Sequence, residues 1–115
     1  MSRSSRSNLT ARRQACAPVF AALGDQTRLS LLVKLSGGPP CSIVQLTENT
    51  ALTRQAITKH LRILEEAGIV KSARAGRESR FAFDPRPIEQ LRRYLELVSE
   101  QWDEALARLK SFVER

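Results

Sequence analysis

Histidine is almost missing from this chain of 115 residues, which has one, His60, together with two cysteines, Cys16 and Cys41. That scarcity leaves no Cys-His constellation at any motif spacing and too few ligands for a closed structural zinc site. There is also no Gly-rich phosphate loop and no paired-carboxylate signature away from charged helix surfaces, so the chain is read as a non-enzyme with no cofactor and no metal. No apolar run approaches the length that crosses a bilayer, and the opening residues are too polar for a signal-peptide core. A cytoplasmic protein without membrane attachment is expected. Acid is absent before Asp25, while Arg3, Arg6, Arg12 and Arg13 lie in that stretch. Repeats and long linkers are absent too, which leaves one domain with one modest core that a small chain often completes by oligomerising.

What the chain has in excess is positive charge: a formal +7 and a pI near 10.4, which favour a polyanionic partner. The excess is uneven. From Arg54 to Arg80 there are seven Lys or Arg against three acids, whereas Arg86 to Arg115 carries six of each.

The basic region has a pattern. At about 100° per residue, Ile57, Leu61 and Leu64 share one side of a helix, and Arg54, Gln55, Thr58, Lys59 and Arg62 fan across the other. Arg can pair bidentately with guanine, Gln with adenine, Thr with a base edge or thymine methyl, and Lys with phosphate. An ordinary amphipathic helix with a solvated face fits the same residues, so the surroundings decide. Ser42-Ile-Val-Gln45 is a capping box that opens a second short helix with Ile43, Val44 and Leu46. The link Thr50-Ala51-Leu52 is brief, Thr53 can cap the following helix, and Gly68 can end it in a left-handed conformation. Two short helices in tandem make a helix-turn-helix over about 42–67. Residues about 69–83 then read as a β-hairpin turning at Gly76, with Phe81 and Phe83 on an inner face and Arg74, Arg77 and Arg80 at its tip and flank, a wing able to meet phosphates. The expected partner is double-stranded DNA.

These segments resemble the ArsR/SmtB family of winged helix-turn-helix transcriptional repressors. Phe20-Ala-Ala-Leu-Gly-Asp-Gln-Thr-Arg-Leu29 is similar to its ALGDPTR signature, with Gln26 at the proline, and Thr58-Lys-His-Leu61 through Ala67-Gly-Ile-Val70 is similar to its SxHLxxLxxAGLV signature. The resemblance implies a bacterial-type homodimer. The common metal-sensing motifs do not match: Pro40-Cys41-Ser42 holds one thiol where Cys-x-Cys would stand, and no histidine follows Pro85. The chain therefore resembles a subgroup lacking those motifs, with its effector undefined.

Residues 1–10 are expected as a mobile basic tail and 11–115 as the winged helix-turn-helix domain, mainly α with a small β-hairpin. Helices are expected over about Ala11 to Leu23 and Gln26 to Leu35, the second capped by Asp25 and ended by Gly37-Gly-Pro-Pro40, while Pro18 predicts a kink or a later start in the first. A long C-terminal helix over about 85–114 carries Ile88, Leu91, Leu95, Val98, Trp102, Ala105, Leu109 and Phe112 at alternating spacings of three and four. At roughly 42 Å it outruns a core this small, so part of the stripe needs a partner. In the resembling family the N- and C-terminal helices form the dimer interface, which implies Val19, Ile88, Leu91, Leu95, Val98, Trp102 and Leu109.

The reading is thus a sequence-specific regulator, a homodimeric repressor on a palindromic operator. Two alternatives stay open: a thiol- or soft-metal-responsive repressor using Cys16 and Cys41, and a protein-interaction module that uses the C-terminal helix without specific DNA binding. Cys41 precedes a helix N-terminus that would favour its thiolate, while inert reduced thiols are the simpler account. His60, beside Leu61 and Leu64, is read as a structural imidazole.

Overall fold

A computed structural model describes the backbone of residues 3–115 and side chains from Asn8 onward. In chain order the elements are α1 (Arg3–Leu23), α2 (Gln26–Ser36), β1 (Cys41–Ser42), α3 (Ile43–Thr47), α4 (Arg54–Glu66), β2 (Val70–Ala75), β3 (Glu78–Phe83) and α5 (Arg86–Val113). This is the mainly helical winged helix-turn-helix expected, with one addition. The two-residue β1 pairs antiparallel with β3, Cys41 opposite Phe81 and Ser42 opposite Arg80, so the sheet has three strands in the order β1-β3-β2.

Capping explains most boundaries. The Asp25 carboxylate accepts from the Arg28 amide at 3.0 Å and starts α2, and the Gly37 amide closes it on the Val33 carbonyl at 3.2 Å. In the capping box, Ser42 Oγ accepts from the Gln45 amide at 3.2 Å while Gln45 Oε1 accepts from the Ser42 amide at 2.8 Å. Thr53 Oγ1 accepts from the Ala56 amide at 3.1 Å at the start of α4. At its end Gly68 (φ +76°) donates to the Glu65 carbonyl and Ile69 to the Leu64 carbonyl, the paired bonds of a Schellman motif. Gly76 (φ +67°) takes the first central position of the hairpin turn and Arg77 the second, without a positive φ, as a type II′ turn requires.

Two expectations at the N-terminus are corrected. The backbone of residues 3–10, expected as a tail, is already helical, and of the kink or later start expected at Pro18 the later start is overturned, because α1 passes through it. No glycine or proline interrupts residues 3–17, and Arg12 Nε donates to Asn8 Oδ1 one turn back at 3.3 Å. Met1 and Ser2 lie outside the described residues.

The core lies where α1, α2, α4 and the sheet meet the first half of α5. Leu46, Ile57, Leu61, Leu64, Ile69 and Val70 are fully buried, and Leu31, Leu35, Phe81 and Leu91 close around them. Phe83 is half-buried against this cluster. Burial of this kind contributes about 1.5–3 kcal/mol per large aliphatic side chain.

Between α3 and α4 the chain turns at Asn49, the sole non-glycine residue with positive φ (+63°) among those described. Asn tolerates this conformation and β-branched side chains do not. Asn49→Val is expected to lower stability in urea unfolding by about 1–2 kcal/mol, and Asn49→Gly to leave it nearly unchanged. Equal stability of both variants would show that the turn relaxes to another conformation.

Asp84 ties the wing to α5. It is 8% exposed, its amide donates to the Ile69 carbonyl at 2.8 Å, and its carboxylate receives Arg86 through Nε at 3.0 Å and Nη2 at 2.7 Å, with Lys71 Nζ at 3.7 Å. Hydrogen bonds from the Arg86 side chain and amide hold its pKa far below the ordinary carboxylate range. A lowered folded-state pKa adds stability that is present above the ordinary value near 3.9 and is lost as pH falls below it. In Asp84→Asn the decline in stability between about pH 4 and pH 2 is expected to be shallower than in wild type. Identical acid profiles would assign the acid sensitivity to other carboxylates.

Candidate nucleic-acid interface

The inner face of α4 is locked into the core by Ile57, Leu61 and Leu64, and this fixes what its outer face presents. Arg54, Gln55, Lys59 and Arg62 are exposed there, and with Thr53, Ala56 and Thr58 they line one shallow concavity along the helix. Thr58 differs from its neighbours. It is half-buried, and its hydroxyl donates to the Arg54 carbonyl at 2.7 Å, leaving its methyl group and an oxygen lone pair for an outside partner.

The wing stands beside this helix, held by Ser72 Oγ donating to Glu65 Oε2 of α4 at 2.6 Å. Strand register sorts its cations by face. Arg74 lies opposite Ser79, in line with the Ser72–Phe81 and Val70–Phe83 pairs, and therefore on the side that carries the core and α4. Arg80 lies opposite Ala73, in line with Lys71–Ala82, and therefore on the outer side. Arg77 sits at the tip, and all three arginines are exposed. The expected cluster of three is thus one cation on the α4 side, one at the tip and one on the wing's far face.

Behind α4 lies a network that residue-by-residue reading missed. Arg28 donates through Nε to the Ala22 carbonyl at 2.6 Å and through Nη2 to the Ala21 carbonyl at 3.4 Å, satisfying the C-terminal end of α1. Its Nη1 lies 3.4 Å from His60 Nδ1, which is itself 3.7 Å from Asp25 Oδ2. The hydrogen bond donated by the Arg28 amide and the nearby positive charge keep the Asp25 carboxyl below its ordinary range. His60 is therefore the structural imidazole expected, joining α4 to the α1–α2 corner. The signal was the signature itself, Gly24-Asp-Gln-Thr-Arg28 with His60, whose residues meet in space.

The thiols occupy separate elements. Cys16 is buried in the α1–α5 seam with Sγ 3.8 Å from the Gln90 carbonyl, and Cys41 is half-buried on β1 with Sγ 3.4 Å from the Pro39 carbonyl. Among the described residues no group of three His, Cys, Asp or Glu is arranged to hold a metal ion.

The residues assigned to the dimer interface divide. Val19, Leu91 and Val98 are buried within the chain, and Ile88 and Leu95 pack half-buried against its core, where Phe20 and Tyr94 also meet edge-on at 6.5 Å. These five take part in the chain's own packing. Beyond them α5 projects: Trp102 is 54%, Leu106 62%, Leu109 56% and Phe112 73% exposed. The radius of gyration, 18.6 Å, exceeds the roughly 13 Å of a compact chain this long for the same reason. Among the described residues no helix is long and apolar enough to cross a membrane.

A reader helix on a helix-turn-helix, with an adjoining β-hairpin, defines a winged helix-turn-helix protein. Residues 25–72 match the family described as bacterial regulatory protein, arsR family. The chain is 39% identical over 79 residues to an uncharacterised HTH-type transcriptional regulator, YuzN, of Bacillus subtilis, covering 64% of this chain and 86% of that protein. It is 30% identical over 87 residues to the HTH-type transcriptional regulator Rv2034 of Mycobacterium tuberculosis, covering 76% and 78%. An ArsR-like transcriptional regulator from Rhodococcus sp. RHA1 superposes with a TM-score of 0.71 at 36% identity, over 86% of this chain and 92% of that one. The chain belongs to the ArsR family. It is a transcriptional regulator rather than an enzyme.

Proposed function

We propose that the chain is a homodimeric repressor that occupies a palindromic operator, with α4 in the major groove and the wing on the flanking backbone. The observation that carries this is the exposed Arg54, Gln55, Lys59 and Arg62 on an α4 whose opposite face is immobilised in the core. Residues near the start of a recognition helix reach base edges, so Arg54, Gln55 and the Thr58 methyl are assigned to sequence reading, and Lys59 and Arg62 to phosphates. Arg74 and Arg77 are assigned to backbone or minor-groove contact beside α4, and Arg80 to a weaker contact across the wing. The exposed end of α5 supplies the dimer surface, since two reader helices must stand about 34 Å apart, or a multiple of it, to meet successive half-sites.

Selection of DNA fragments by the purified protein tests this reading, with a palindrome as the expected product. On the selected site, Arg77→Ala is expected to reduce the slope of log K against log salt by about one per half-site, and Arg80→Ala by less. Recovery of random fragments, with salt slopes unchanged in both variants, would leave the chain an interaction module without specific DNA binding.

A further inference from the structure

A cleft of about 390 Å³ separates the N-terminal half of α1 from α5, lined by Asn8, Ala11, Arg12, Ala15, Cys16, Gln90 and Arg93. Its size is within the range of small-molecule sites and well beyond an inorganic anion. Each wall brings one guanidinium, Arg12 from α1 and Arg93 from α5, and among the described residues neither makes an ion pair with a carboxylate. Arg12 is half-buried and its Nε is oriented by Asn8 Oδ1, which leaves its outer nitrogens for another acceptor. The α1 wall belongs to a stretch with no acid before Asp25, and on α5 Glu89 and Glu96 are already engaged by Arg92 at 3.8 and 3.6 Å. The apolar part of the lining is Ala11, Ala15 and the Cys16 thiol, and two amide side chains, Asn8 and Gln90, complete it.

We propose that this cleft binds a small organic carboxylate with an apolar body, and that the bound molecule regulates DNA binding. Guanidinium forks take carboxylates bidentately, and two forks on opposite walls favour a ligand with two carboxylates or one shared between them. The apolar part of the lining receives the hydrocarbon part. A molecule bridging Arg12 and Arg93 ties α1 to α5. Because α1 ends on the Arg28–His60 corner behind α4, and α5 carries the dimer surface, the tie biases how the reader helices are set relative to the dimer axis. This regulatory half rests on the operator-binding reading above, whereas the binding half does not.

Calorimetry on the full chain without DNA tests the binding half, using phthalate and benzoate as probes and inorganic phosphate for comparison. Saturable binding of phthalate is expected, weakened at least about tenfold by Arg12→Ala and by Arg93→Ala and unchanged by Lys34→Ala, which removes an exposed charge on α2. Circular dichroism of the variants confirms the fold. Absence of binding by either carboxylate up to about 10 mM, phosphate binding as tightly as phthalate, or equal weakening by Lys34→Ala would overturn the site. Saturating phthalate is then expected to shift half-saturation of the selected DNA at least about fivefold. Binding without that shift removes the regulatory half, and a chain that selects no DNA while its phthalate binding stands refutes the operator reading alone.

Discussion

Trp102→Asp is expected to turn a dimer into a monomer in sedimentation and to lower affinity for the full operator by about two to three orders of magnitude. Trp102 begins the exposed part of the α5 stripe and is outside the chain's own core, so the fold survives the change. In a dimer the new carboxylate would be buried without a partner, at a cost of several kcal/mol, and a factor of ten in affinity corresponds to about 1.4 kcal/mol. Leu95→Asp makes a useful contrast. Leu95 packs against the core, and its loss should unfold the monomer itself, visible as a lower melting temperature. If Trp102→Asp stayed dimeric with unchanged affinity, the exposed stripe would not be the dimer surface.

Arg54→Ala and Gln55→Ala are each expected to weaken binding to the selected site by about 1–3 kcal/mol, roughly five- to 150-fold, with little effect on random DNA. Preference should relax at one base position per half-site. Both side chains are exposed near the start of α4 and form no hydrogen bond with another described residue, so nothing within the fold needs rearranging when they are shortened. Equal losses on selected and random DNA would make them phosphate contacts.

The reader helix was legible in the sequence because its two faces differ chemically at helical spacing and its ends carry their own signals, Thr53 at one and Gly68 at the other. The wing was legible through its aromatic alternation and Gly76. Two kinds of feature were not. β1 is too short to show a period, and its pairing with β3 depends on a partner about forty positions away. The division of the α5 stripe was equally hidden: Leu91 and Trp102 belong to one periodic series, and only the reach of α1 decides which is covered. The extent of α1 is hidden because the Arg and Ser at the start have the composition of a polar tail, while an unbroken stretch without glycine or proline lets the helix continue. The proposed contact residues follow from α4 and the wing, but the split between Arg74 and Arg80 needed the strand register.

The short strand β1 also governs how the molecule comes apart. A helix of five residues has almost no stability of its own, and α3 would be expected to fray. Its cap, Ser42, is at the same time a member of the sheet, held opposite Arg80 on β3, while β3 is bonded to β2 and β2 leads back to α4. The chain between these elements therefore closes on itself, and α3 cannot loosen without also disturbing the central strand. Opening of α3 becomes a sub-global event shared with the sheet. In native-state hydrogen exchange, the protected amides of α3 should show opening free energies that track those of β3.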